Sequence, residues 1–168
     1  MLTRMQIQNF KAWKDTRMVP LAPLTVIFGT NSSGKSSLGH LLLALKQTVQ
    51  LADRKRALHL GDENSLIDLG TFADCVHGHD LGQKSVCCLR WRLPQTLTVR
   101  NPLNPMEVFK GSELELSSTL RADKNGQPET ESFTYRLLQG DAESLAVTHR
   151  RGDRTSLDCE PLKLVMAM

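Results

Sequence analysis

The stretch Gly29-Thr30-Asn31-Ser32-Ser33-Gly34-Lys35-Ser36 fits the pattern G-x-x-x-x-G-K-[ST]. It stands between a β-branched apolar run, "LTVIF", and a leucine-rich run, "LGHLLLALK". Few local features restrict a fold as much. A loop of this kind wraps an anion with consecutive backbone N–H groups, which needs torsions that Gly29 and Gly34 allow. A buried strand must deliver it, and a helix must take over so that its positive end faces the anion. In this Walker A pattern, Lys35 bridges the β- and γ-phosphates as a point charge, and the Ser36 hydroxyl is a ligand of Mg²⁺. The expectation is therefore binding of ATP and Mg²⁺. The phosphate-binding residues would be Gly29, Thr30, Asn31, Ser32, Ser33, Gly34, Lys35, Ser36 and Ser37, with Ser36 on the metal.

The flanking patterns extend this reading. Met5, Ile7 and, after Asn9, Phe10 alternate with Gln6 and Gln8, which predicts a first strand. "KAWKDT" reads as a turn, and the two prolines of "MVPLAP" keep that stretch extended or looped. "LTVIF" reads as a strand covered on both faces. Leu38, Leu41, Leu42, Leu45 and Val49 fall on one helical stripe, and Gly39 would let that helix approach the sheet closely. From about Ser85 onward the period is two: Cys87, Leu89, Trp91 and Leu93 share a face, as do Leu114, Leu116 and Leu120, then Phe133, Tyr135 and Leu137, then Leu145 and Val147. Turn material such as "NPLNP", "DKNGQP" and "QGD" separates these runs, and Asn125-Gly126 is a hairpin cue. The fold class expected is α/β, a P-loop lobe with its helix packed on a sheet, followed by an antiparallel β subdomain. Residues 1–84 would form the nucleotide-binding segment and residues 85–168 the β-rich subdomain of the same head. The apolar end "LVMAM" points to an incomplete domain.

Composition excludes several alternatives. Hydrophobic residues make up 40% and charged residues 23% of the 168, as in an ordinary globular protein, and the net charge of +3 comes without a dense Lys/Arg stripe. The nearest to such a stripe is "DRKRALH" at residues 53–59, which reads as a solvated helix end. The four cysteines, Cys75, Cys87, Cys88 and Cys159, contain no C-x-x-C pair, so they fit free thiols in a reducing cytoplasm better than a disulfide or zinc framework. No apolar leader or membrane-length stretch is present in the sequence given. His77-Gly78-His79-Asp80 lacks a third metal ligand in view and reads as a polar turn. Arg151-Gly152-Asp153 reads as a hairpin turn.

"LTRMQIQNFKAWKDT…LAPLTVIFGTNSSGKSSLGHLLLALKQT" resembles the N-terminal segment of ABC-type ATPases of the SMC/RecF/OLD branch. "LIDLGTFADCVHGHD" resembles a segment of bacterial OLD-like AAA-family ATPases, some of which serve antiphage defence beside a nuclease partner. The resemblance implies a head that binds ATP and Mg²⁺ and dimerises over two nucleotides, with DNA or a nuclease as further partners and no membrane. It places Lys11, Ala12 and Trp13 in a turn near the nucleotide, with Trp13 either against adenine or in the core. Hydrolysis in such proteins needs a Walker B strand ending in Asp-Glu, an LSxG-like signature, a D-loop and a switch histidine, and none follows Ser37. Asp62-Glu63 follows too short a run, "LELSSTLRAD" lacks the glycine and reads as a strand, and Gln83 is a weak match to a Q-loop. The reading is an ATP-binding portion that hydrolyses poorly by itself. A compact P-loop kinase or small NTPase, and a truncated non-enzymatic binding or dimerisation module, are the alternatives.

Overall fold

The computed structural model describes residues 1–51, 56–102, 104–151, 156–158 and 163–165. Strands β1 (Leu2–Phe10), β2 (Trp13–Asp15) and β3 (Val19–Pro20) precede helix α1 (Lys35–Gln50), the short helix α2 (Phe72–Cys75) and a 3₁₀ turn (His77–His79). Four longer strands follow: β4 (Ser85–Arg100), β5 (Val108–Ala122), β6 (Pro128–Gln139) and β7 (Ala142–Arg150). Strands β8 (Ser156–Asp158) and β9 (Lys163–Val165) form a separate antiparallel pair. The main sheet runs β2-β1-β4-β5-β6-β7, with β3 also on β1, and every pairing is antiparallel.

This architecture corrects the α/β expectation. The molecule is mostly strand, a curled antiparallel half-barrel, and α1 and α2 are the α-helices among the described residues. The decisive difference lies just before the glycine loop. "LTVIF" has strand composition, yet residues 24–28 form no strand, and Leu24, Val26, Ile27 and Phe28 are 81%, 61%, 44% and 88% exposed. Strand propensity mainly reports how well a side chain fits a pleated, half-buried surface, and the backbone still needs a ladder partner. Both edges of β1 are occupied, by β2 and β3 on one side and β4 on the other.

The first strand buries Met5, Ile7 and Phe10. Asn9 sits at φ 51, and this left-handed residue adds the extra step that returns Phe10 to the face of Ile7. "KAWKDT" is not all turn, because Trp13–Asp15 is β2. Onto this face α1 brings Leu38, Leu41 and Ala44, joined by Leu58, Leu69, Phe72, Cys75, Val76 and Leu120 in one core. The helical stripe differs from the expected one. Ser37, Leu38, Leu41, Ala44 and Gln47 are buried, whereas Val49 is exposed. Gly39 is also on the open side, and a Cβ there would meet nothing within 4 Å, so it does not serve close packing.

Beyond β1 the sheet is a meander with two unlike faces. On one, Leu114, Leu137, Leu145 and Val147 join Phe109, Leu93 and Val99 in a second core. The register of β4 against β5 jumps between Arg92 and Leu97, at a bend that contains Pro94, and this curls the sheet over that core. The other face carries ion pairs: Arg90 Nε to Glu113 at 2.8 Å, and Arg136 to Glu115 at 3.0 Å and to Glu143 at 3.1 Å. Asp123 and Gly126 close the β5–β6 hairpin through Gly126 N–H to Asp123 O, 3.1 Å, with Gly126 at φ 74. No helix of the described residues is long and apolar enough to cross a membrane.

Helix α1 is latched to the loop after it by the buried Gln47 amide, beside Thr48 Oγ1, which accepts from His59 N–H at 2.8 Å. Gln47 Nε2 donates to His59 O at 2.8 Å and to Ile67 O at 3.1 Å, and Gln47 Oε1 accepts from Ile67 N–H at 3.1 Å. Replacing Gln47 by Leu strands these three backbone groups, which lowers stability by about 3 kcal/mol in a urea melt. An unchanged midpoint would mean that the amide holds nothing.

Candidate functional site

The glycine loop closes onto α1 through Gly34, the residue that caps the helix at φ 84 and ψ 9. That left-handed torsion favours glycine, and space also demands it. A Cβ at this position would lie 2.7 Å from Ala12 Cβ and 3.0 Å from Trp13 Nε1. Trp13 donates its indole N–H to Gly34 O at 2.9 Å, and Ser37 N–H reaches the same carbonyl at 3.0 Å. The turn between β1 and β2 thus lies directly against the start of the helix.

The helix start is electrostatically bare. No side chain caps it and its first turn carries no acidic residue. By contrast, α2 has a full capping box, in which Thr71 accepts from Asp74 N–H and Asp74 accepts from Thr71 N–H. The first N–H groups of a helix have no intrahelical acceptor, and they carry its positive partial charge. Beside them a cavity of about 320 Å³ is lined by Lys11, Ala12 and residues 32–37, a lining with two lysines and four serines and no carboxylate. Gly29, Thr30 and Asn31 do not line it. Lys35 Nζ bonds the carbonyls of Gly29, at 2.9 Å, and of Thr30, so the ammonium is folded back over the loop. Such an arrangement can take an anion against backbone N–H groups, hydroxyls and cations.

The turn that carries Trp13 is anchored from its other side, a contact the sequence did not reveal. Lys11, at φ 48, donates its N–H to Cys75 O at 2.7 Å, and Phe10 bridges Val76. His77 Nδ1 lies 3.0 Å from Lys11 O, and since a carbonyl only accepts, Nδ1 carries the proton. His79 Nδ1 meets Ala73 O in the same way. These histidines are structural donors, and no group of three or more His, Cys, Asp or Glu residues among the described ones could hold a metal.

Other candidates fall to ordinary roles. Gln83 is exposed and bonds Asp80. Residues 114–122 lie on β5, and Asp62 caps a turn by accepting from Asn64 N–H and Ser65 Oγ. Hydrogen bonds from Ser65 and Asn64 hold the exposed Asp62 carboxyl below its usual range. His59 lines a cavity of about 460 Å³, and its imidazole also lies near Ser65 and Asp62. However, both meet Nε2, at 2.9 and 3.3 Å, while Nδ1 faces Arg56, so hydroxyl and carboxylate do not sit on opposite ring nitrogens as a nucleophile–base–orienter relay needs. Part of "DRKRALH", Cys159, residues 152 and 153 of the RGD tripeptide, and the end of "LVMAM" lie outside the described residues.

Burial pushes the thiols of Cys75 and Cys88 up to about 11 and that of Cys87 up to about 12. The folded chain keeps protons that unfolded thiols release above about pH 8.5, so this stabilisation is present below that pH and is lost as pH rises toward the folded values. Native Cys75, Cys87 and Cys88 are expected to resist iodoacetamide at about pH 8 and to react rapidly in denaturant. Fast native alkylation, located by peptide mass, would contradict this. At the loop, Gly34→Ala combines left-handed strain with the Ala12 clash, and is expected to cost about 1–3 kcal/mol in chemical denaturation.

A model of the AAA ATPase domain family matches residues 1–86. A search of curated proteins found no match. The matched stretch runs from β1 through the glycine loop, α1, α2 and the anchored turn into the start of β4, which is more than half of the 168 residues. The chain belongs to the AAA ATPase domain family.

Proposed function

We propose that residues 29–37 bind the triphosphate of ATP together with Mg²⁺. The observation that carries this reading is the uncapped start of α1, opening onto a cavity with two lysines and no carboxylate. An entering phosphate would draw the Lys35 ammonium off the Gly29 and Thr30 carbonyls, exchanging two neutral acceptors for a charged one. The exposed Ser36 is the residue that would hold Mg²⁺. One hydroxyl suits this ion, which commonly keeps several waters and takes its other ligands from phosphate oxygens, and its chemistry there is to neutralise phosphate charge. The family supports nucleotide binding of the ATPase type.

Turnover by the chain alone is slow in this reading. None of the residues lining the cavity is an Asp or Glu that could orient an attacking water. A loop that only cradles phosphates binds the ground state about as well as the transition state, and uniform binding does not raise the catalytic rate. Within the family, we place the chain near the OLD-like branch on the strength of its "NFKAW" and "LIDLGTFADCVHGHD" stretches. Pairing of two heads and a nuclease or DNA partner belong to that same placement.

Calorimetric titration with MgATP tests the reading. Lys35→Ala is expected to weaken binding by about tenfold or more, equivalent to about 1.4 kcal/mol. Equal binding by wild type and variant would overturn it. A phosphate-release assay run beside it should show little Lys35-dependent turnover, and brisk turnover would refute slow hydrolysis.

A further inference from the structure

We infer that Trp13 is the positioning residue of the phosphate loop, an inference that rests on reading residues 29–37 as that loop. Its indole N–H is 2.9 Å from Gly34 O, and the same oxygen accepts from Ser37 N–H at 3.0 Å. Both lone pairs of that carbonyl are therefore engaged. Left free to rotate, the Gly34 carbonyl could turn its negative end toward the cavity and repel a phosphate. Because the peptide unit is planar and trans, fixing this C=O also fixes the N–H of Lys35, which points the opposite way. Trp13 thus sets one backbone donor at the helix start as well as removing a competing acceptor.

Trp13 is itself well fixed. It opens β2 opposite Phe10, and its ring packs against the main core. The two residues before it are clamped through Lys11 to Cys75 O and His77. Ala12 closes on Gly34 from the same turn and leaves no room for a Cβ there. The Trp13 indole N–H thus ties the end of the loop to the sheet. This geometry gives Trp13 a backbone partner in place of an adenine ring.

The chain has two tryptophans, and the other, Trp91, lies on β4 opposite Leu2 and Leu114. Uniformly ¹⁵N-labelled protein therefore shows two indole N–H resonances, assigned with Trp91→Phe. On titration with MgATP, the Trp13 signal is expected to move and the Trp91 signal to stay. Lys35→Ala should abolish the movement. Trp13→Phe keeps a ring but loses the donor, and is expected to bind MgATP about five- to tenfold more weakly. Its circular dichroism spectrum should remain that of the folded chain.

The outcomes separate the two ideas. Wild type and Lys35→Ala binding alike would remove the phosphate-loop reading and this inference with it. Lys35-dependent binding with a stationary Trp13 resonance and an unweakened Trp13→Phe variant would overturn this inference alone. Should Trp13→Phe fail to fold, the wild-type resonance decides: movement supports positioning by Trp13, and no movement refutes it.

Discussion

Strand β1 is held along both edges, by β2 and β3 on one side and by β4 on the other, and its inner residues Met5, Ile7 and Phe10 are buried. Two consequences follow from this one constraint. The inner face supplies the surface on which α1 rests, which fixes where the helix begins. The strand also ends in a turn, and that turn meets Gly34 on one side and the segment around Cys75 and His77 on the other. The position of the glycine loop is therefore inherited from the sheet, although residues 24–28, which lead into it, belong to no strand. Loops carry function best when a rigid scaffold aims them, and here the aim comes from behind the loop.

Sequence patterns reached some of this. The Gly34-Lys35-Ser36 step locates the start of α1 at Lys35, and the alternation of Met5 and Ile7 marks β1. Alternation from Cys87 to Leu93 lies on β4, and Asn125-Gly126 lies in the turn between β5 and β6. These are local signals, and a local period survives any arrangement of the chain. The fold class was not reached, because it depends on which strands pair. The β-branched content of "LTVIF" reports a preference for a pleated surface, and cannot supply a neighbour. Hydrophobicity also misjudged α1: it selects Val49, which is exposed, and passes over Ser37, Ala44 and Gln47, which are buried. A small side chain allows close approach and a buried amide serves backbone groups, and neither property registers as apolar. The Trp13 contact with Gly34 joins residues 21 apart, beyond any periodicity.

The two faces of the β4–β7 meander divide the work of holding it together. The apolar side closes a second core under the bend at Pro94, while the polar side is laced by Arg90, Glu113, Glu115 and Arg136. Cross-strand ion pairs that are partly buried depend on register, since a slip of one residue would turn each charge toward the apolar face. Their contribution is better described as fixing alignment than as adding stability, because desolvation offsets much of their attraction. The family match ends near the beginning of this meander, at residue 86. The meander nevertheless continues the sheet that β1 begins, and so shares its frame with the glycine loop.

The Gln47 latch has a consequence for how this chain can drift in sequence. It grips main-chain atoms of His59 and Ile67, and no side chain of the segment it holds. For this contact alone, identity matters at the gripping residue, while His59 and Ile67 answer to their own surroundings, a buried ring bonded to Ser65 and a side chain packed on the core. Any residue but proline at position 67 presents the same carbonyl and N–H to the latch, whereas Gln47 has few substitutes that both accept and donate at that reach. The latch itself therefore constrains one position of the helix sixteen residues long that carries it.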